Sequence, residues 1–346
     1  MPMTSRNEKR TSYGRNIIIL LLLTAITFAV ILRGNDLEHF LLALKHANIF
    51  WLTGGLGCMF LFVTCEALNI HSISKTIGRP LTIPRCEQYA FIGFYFSSIT
   101  PSASGGQPAQ MYYMKKDQIS LADSSLIILF IVMVYQISML LLAGCMSLFH
   151  PGTALAAAGQ LRILLPFGLI VNGFAAFTFA LLVYSENAVK NIFHFFIHLG
   201  TRLHLVKSPE STWNQALKGL SQYQQSGCMI RQEPRLFFRV LATSLIQLSA
   251  LSLVPYCVYK AIGLQGHMAG ELITRQSILT ISASAIPTPG AVGAAEYGFL
   301  TAFKDIFGPE NIKTAMLLSR GISLYLFLII SFFICMAVHL RTTKQT

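Results

Sequence analysis

The sequence predicts an all-α integral membrane protein: a polytopic helix bundle with two inverted repeats, each containing a re-entrant helix pair broken by Pro and Gly. Three observations predict it. The 346 residues are 53% hydrophobic and only 12% charged, with a mean hydropathy of +0.58, and the apolar residues come in long runs. Soluble domains carry neither feature. Two polar stretches rich in Pro and Gly, Thr100–Gln110 and Ile286–Glu296, interrupt the runs where helices would be expected. Finally, Lys and Arg gather in alternate connecting segments. The net charge of +12 is therefore read as positive-inside topology rather than as a nucleic-acid surface. Anionic lipid headgroups are the natural partners of such a surface, and no nucleic acid is expected.

The chain is read as a single transmembrane domain, 1–346. A basic N-terminus (Arg6, Lys9, Arg10, Arg15) leads into a first span at about 16–32. That run exits into Arg33-Gly34-Asn35-Asp36 without a small-residue cleavage site, so it is read as an uncleaved span. Residues 36–48 are amphipathic and suit the interface, completing an N-terminal segment, 1–48. The first repeat, 49–148, holds a span at 49–70, a basic loop, a half-crossing at 86–99, the first break, a short helix ending at Lys115-Lys116, and a span at 121–148. A connecting segment, 149–235, holds a span at 162–184 and a polar stretch at 185–235. The second repeat, 236–340, holds a span at 236–262, a half-crossing at 271–286, the second break, a short helix at 294–307, and a last span at 312–340. A half-crossing of about 15 residues rises ~22 Å, short of a ~30 Å hydrocarbon core.

Superposing Pro101 on Pro287 places Ala109 on Ala295 and Gln110 on Glu296, and carries 49–70 to 235–256 and 121–148 to 307–334. Each landing falls on an independently read span. With the N-terminus inside, inside segments hold seventeen basic residues and outside segments seven, which makes the second repeat enter from the opposite side. Inverted repeats with discontinuous helices present one site to both membrane faces in turn. Irregular backbone at that depth needs cover from protein or a water-filled cavity, so the two breaks are expected to meet inside. Helix N-termini following each break would favour an anion such as a lipid phosphate.

The expected substrate site is therefore Pro101, Ser104, Gly105, Gly106, Gln107 and Gln110 from the first break, and Pro287, Pro289, Gly290, Gly293 and Glu296 from the second, with Arg320. Ionisable groups in spans usually pair or line a polar cavity. Glu296 and Arg320 suit either an internal ion pair or a substrate role. Glu66 and Arg239 lie near span ends and are read as snorkelling. No catalytic residue, cofactor or metal is expected. His194, His198 and His204 lack acidic or Cys companions and read as interfacial. Cys58, Cys65, Cys86, Cys145, Cys228, Cys257 and Cys335 show no C-x-x-C spacing and read as packing residues. There is no phosphate loop of an ATP-driven pump, no H-E-x-x-H and no G-x-S-x-G.

At the breaks the chain resembles the flippase-like family, also called the lysylphosphatidylglycerol synthase transmembrane-region family. The residues carrying the resemblance are Thr100-Pro101-Ser102-Ala103-Ser104-Gly105-Gly106-Gln107-Pro108, then Gln110-Met111-Tyr112-Tyr113, and downstream Pro287-Thr288-Pro289-Gly290-x-x-Gly293-x-x-Glu296. The second stretch follows the pattern Pro-x-Pro-Gly-Gly-x-Gly-x-x-Glu, with Ala291 in place of the second Gly. The resemblance covers roughly residues 15–340 and implies a multi-pass bacterial plasma-membrane protein, with both termini cytoplasmic, that handles anionic, aminoacylated or lipid-linked headgroups. A lipid flippase is the function it implies. Phosphatidylglycerol lysyltransferase activity, with resistance to cationic antimicrobial peptides, is the alternative, as is a non-transporting partner of an envelope lipid-synthesis enzyme. Six residues follow His339-Leu340, so the family's soluble synthase domain, and with it transferase activity, is not expected.

Overall fold

The computed structural model describes residues 45–185, 187, 189–191 and 209–343, and its described part is helical without strands. The first span, most of the N-terminal amphipathic segment and His194, His198 and His204 lie outside the described residues. Among the described residues, five helical segments are long and apolar enough to cross a membrane. The chain is an all-α polytopic membrane protein.

Helix α1 is Ile49–Thr76, started by Asn48, whose side chain accepts from the Phe50 N–H at 3.0 Å. A turn leads to α2, Ile83–Ile99, with Pro84 in its first turn where no helical N–H is lost. A 3₁₀ turn, Pro101–Ala103, then reverses the chain into α3, Gly106–Lys116. The lysines closing α3 suit its negative C-terminal end. Ser120 caps α4, Leu121–Phe149, by accepting from the Asp123 N–H at 3.0 Å. Between the spans expected at 121–148 and 162–184 lies a further helix, α5, Pro151–Gln160, rich in Ala and begun by Pro. Helices α6, Leu164–Tyr184, and α7, Pro209–Gln232, follow.

The element order of the first unit then recurs. Helix α8 is Pro234–Ala261, and α9 is Ala269–Ser284. A second 3₁₀ turn, Pro289–Ala291, leads into α10, Ala294–Ala302. Helix α11, Lys304–Arg320, is bent at Gly308 (φ 72°) before Pro309. It continues through a π segment, Gly321–Leu326, into α12, Phe327–Thr343.

Both helix pairs fold back as hairpins, and an ion pair closes each at its open end. Arg85, in the first turn of α2, donates from Nε to Asp117, just past α3, at 2.7 Å, and Tyr89 adds its hydroxyl to the same carboxylate. Hydrogen bonding to Asp117 pushes the Arg85 pKa up further, against the effect of burial. In the second unit, Arg275 of α9 forks onto Asp305, just past α10, with both bonds at 2.6 Å. Each outbound helix thus returns to the side from which its partner entered.

The α1 and α8 helices form the central pair and run antiparallel. Asn48 N–H donates to the Ala261 carbonyl at 2.8 Å at one end, while Asn69 donates to Ser244 at 3.1 Å towards the other. Around this pair α4 packs on α8 and α9, α12 packs on α2, and the two 3₁₀ turns touch. Outside both units, Asn172 of α6 donates to the Ile281 carbonyl at 3.3 Å and to Ser284 Oγ at 2.9 Å.

The turns are built alike but two residues out of the register expected from the sequence. Ser102 and Ala103 carry φ of 52° and 54°, and Gly290 and Ala291 carry 59° and 53°. Pro101 therefore matches Pro289, not Pro287, and Gly105 matches Gly293. Gln110 and Glu296 do not occupy corresponding positions. Four residues separate α9 from its turn, and Pro287 falls among them, whereas Thr100 alone separates α2 from its own.

Candidate functional site

The first break is closed by neutral groups. Thr100 Oγ1 accepts from the Gly105 N–H at 2.9 Å and donates to the Phe96 carbonyl at 2.6 Å, which ties the residue before α3 to the end of α2. Pro101 and Ser104 are exposed, the Ser104 hydroxyl returning to the Pro101 carbonyl at 2.8 Å. Gly106 is buried against α2: a Cβ there would lie 2.8 Å from the Gly93 carbonyl and collide with Ser97 Oγ. Gly105 and Gly106 therefore permit close helix packing, and Gln107 is partly buried beside them.

The second break is closed by charge. Glu296 is 2% exposed, and both its oxygens are engaged: one accepts from the Gly293 N–H at 2.6 Å, the other from Arg320 Nε at 2.7 Å. Arg320 also donates from Nη2 to the Gly290 carbonyl at 2.8 Å. Of the two roles open to Glu296 and Arg320, the geometry supplies the internal pair, which fixes the turn and caps α10. Pro289 is buried in this turn and Pro287 is exposed before it.

Beneath the second turn lies a cavity of about 230 Å³. Its apolar wall comes from α1 (Met59, Phe62), α2 (Phe94) and α8 (Leu251, Val254, Pro255), with Leu279, Ala295 and Phe299 opposite. Its polar groups are Gln276, Thr280 and Ser284, successive turns on one face of α9, with Ser319, Arg320 and Ser323 from the last helical segment. The Ser319 hydroxyl is buried without a hydrogen-bond partner. Of the expected site residues, Arg320 alone lines this cavity. The i, i+4 polar stripe on α9 is the signal in the sequence that marked it.

Gln110 belongs to a different cluster. Its Nε2 donates to Glu66 at 3.0 Å and to the Tyr89 carbonyl at 3.1 Å, reaching both through space left by Gly93, where a Cβ would clash with the amide. Gln247 of α8 donates to the other Glu66 oxygen at 3.3 Å. The snorkelling reading of Glu66 is therefore corrected: the side chain turns inward, because two other helices offer it amides. Arg239 is exposed, in keeping with its expected placement.

No group of three or more His, Cys, Asp or Glu residues that could hold a metal occurs among the described residues, and all seven cysteines are free thiols. The fold and site thus define a polytopic α-helical membrane protein with two Pro/Gly-broken helix hairpins beside a cavity. A family model described as "Lysylphosphatidylglycerol synthase TM region" matches residues 17–331, and the chain belongs to that family. Comparison with curated proteins gave no match.

Proposed function

We propose that the protein translocates a membrane lipid bearing an anionic, aminoacylated or lipid-linked headgroup. The cavity beneath the second turn carries this reading. A phospholipid needs a polar floor for its headgroup and an apolar wall for its chains, and the α9 stripe with Arg320 faces the α1–α8 pair in that way. We further propose that the two units are inverted repeats. The antiparallel α1 and α8, the matching left-handed turns and the crossed packing of α4 and α12 all support this. The charge bias supports cytoplasmic termini, and membership of the family supports a bacterial plasma membrane.

Because Glu296, Arg320 and Gly106 hold the breaks together, the test uses cavity residues that do not. Purified protein in liposomes should expose a headgroup-labelled phospholipid to a membrane-impermeant quencher on the opposite leaflet. Ala295→Phe, which fills the cavity, and Gln276→Leu should each slow that exposure at least tenfold while retaining native helicity. Rates equal to those of protein-free liposomes for the unaltered chain would sink the proposal.

A further inference from the structure

We propose that Glu66, with Gln247 and Gln110, forms a partly buried site for one small cation, a proton or a sodium ion. The carboxylate stands well inside α1 and receives only amide hydrogens: Gln110 Nε2 at 3.0 Å and Gln247 Nε2 at 3.3 Å. Among the described residues no Lys, Arg or His pairs with it. An ionised carboxylate at this depth is costly unless compensated by positive charge. A second, independent observation points the same way. Gln247 is fully buried, and its Oε1 has no hydrogen-bond partner. That oxygen belongs to the amide that donates to Glu66, so an orphaned acceptor and a carboxylate share one small region. Buried acceptors are normally satisfied, and an all-oxygen donor set suits a hard cation.

For a proton the exchange is simple. A proton arriving from water forms a bond to a Glu66 oxygen, the Gln247 amide turns over, and the new O–H donates to Oε1. No other reactant is required. Tyr135 of α4 is a titratable side chain that feels the Glu66 charge, and the groups that hydrogen-bond Glu66, from α3 and α8, are uncharged amides. Phe62 and Leu251, one helical turn from Glu66 and Gln247, both line the lipid cavity. Cation occupancy and the cavity therefore share the α1–α8 pair. Coupling of the two rests on the translocase reading, whereas the cation site does not.

The test is made on detergent-solubilised full-length protein. Infrared difference spectra recorded during acidification in sodium-free buffer should show a protonated-carboxyl band that Glu66→Gln removes and Glu233→Gln, at an exposed position, retains. In a second arm, calorimetric titration with sodium chloride against choline chloride should give binding heat that Glu66→Gln abolishes. A response in the first arm identifies the proton, and one in the second identifies sodium. If Glu66→Gln does not fold, Gln247→Met keeps the carboxylate and removes the orphaned oxygen. It should shift the midpoint of either response by about tenfold in affinity, one pH unit for the proton. A carboxyl that neither titrates nor responds to sodium, or a midpoint unmoved by Gln247→Met, overturns the site. A protein that moves no lipid but still titrates at Glu66 overturns the translocase reading alone.

Discussion

Arg275 and Asp305 are joined by two parallel bonds of 2.6 Å, from Nη1 to Oδ1 and from Nη2 to Oδ2. The guanidinium also donates to the Ala302 carbonyl, the last residue of α10. One buried side chain on the inbound helix thus holds both the end of the outbound helix and the start of the next. Arg85 and Asp117 perform the same closure in the first unit.

Arg275→Leu should therefore open the second hairpin. Charged hydrogen bonds contribute roughly 1.5–3 kcal/mol each, but Asp305 is half exposed, so a total loss of about 2–3 kcal/mol is expected. Chemical unfolding followed by circular dichroism measures it. A loss under about 1 kcal/mol would show that the closure is not needed for stability.

Ala291 sits at φ 53°, where a Cβ meets the backbone. Replacing it by Gly removes that strain, and Ala291→Gly should raise stability by about 1 kcal/mol despite glycine's greater freedom when unfolded. A melting temperature that falls would count against the left-handed turn.

Gly106→Ala brings a Cβ within 2.8 Å of the Gly93 carbonyl and onto Ser97 Oγ. Overpacking of this kind costs about 1–3 kcal/mol. Gly144→Ala, in open space on α4, should be neutral or slightly stabilising. Equal melting temperatures for the two variants would contradict the close α2–α3 contact.

Removing Glu296 leaves the partly buried Arg320 without its counter-charge. Glu296→Ala should cost about 3–5 kcal/mol, and Glu296→Gln, which keeps an acceptor for the Gly293 N–H, distinctly less. Both values come from equilibrium unfolding in detergent. Identical losses would mean that the cap on α10 contributes nothing.

Long-period features were legible in the sequence because they arise from hydropathy and charge. The central spans, both breaks and the Glu296–Arg320 pairing follow from apolar runs, Pro and Gly, and the cost of isolated charge. Features requiring side chains from separate helices were not legible. Glu66 read as snorkelling since nothing along α1 announces Gln110 and Gln247, which arrive from α3 and α8. Arg275 and Asp305 stand 30 residues apart on different helices, and nothing along the chain pairs them. The register of the breaks was misplaced by two residues because Pro287 and Pro289 serve equally well as landmarks in sequence. Only backbone torsions reveal which of them opens the left-handed turn.

The π segment at Gly321–Leu326 has a consequence for how the last helix meets the first unit. A π turn holds about one residue more than an α-turn, so the extra residue is absorbed within a single turn and the helix beyond keeps its facing. Deleting one residue from the π segment would therefore restore an ordinary α-turn without turning α12 away. Deleting one from the regular helix past Phe327 would instead rotate everything beyond it by roughly 100°. His339, which shares a 3.1 Å hydrogen bond with Tyr113 at the far end of α3, would then be carried away from that tyrosine. The helix beside Arg320 thus tolerates a change of length in one turn that it does not tolerate in the next.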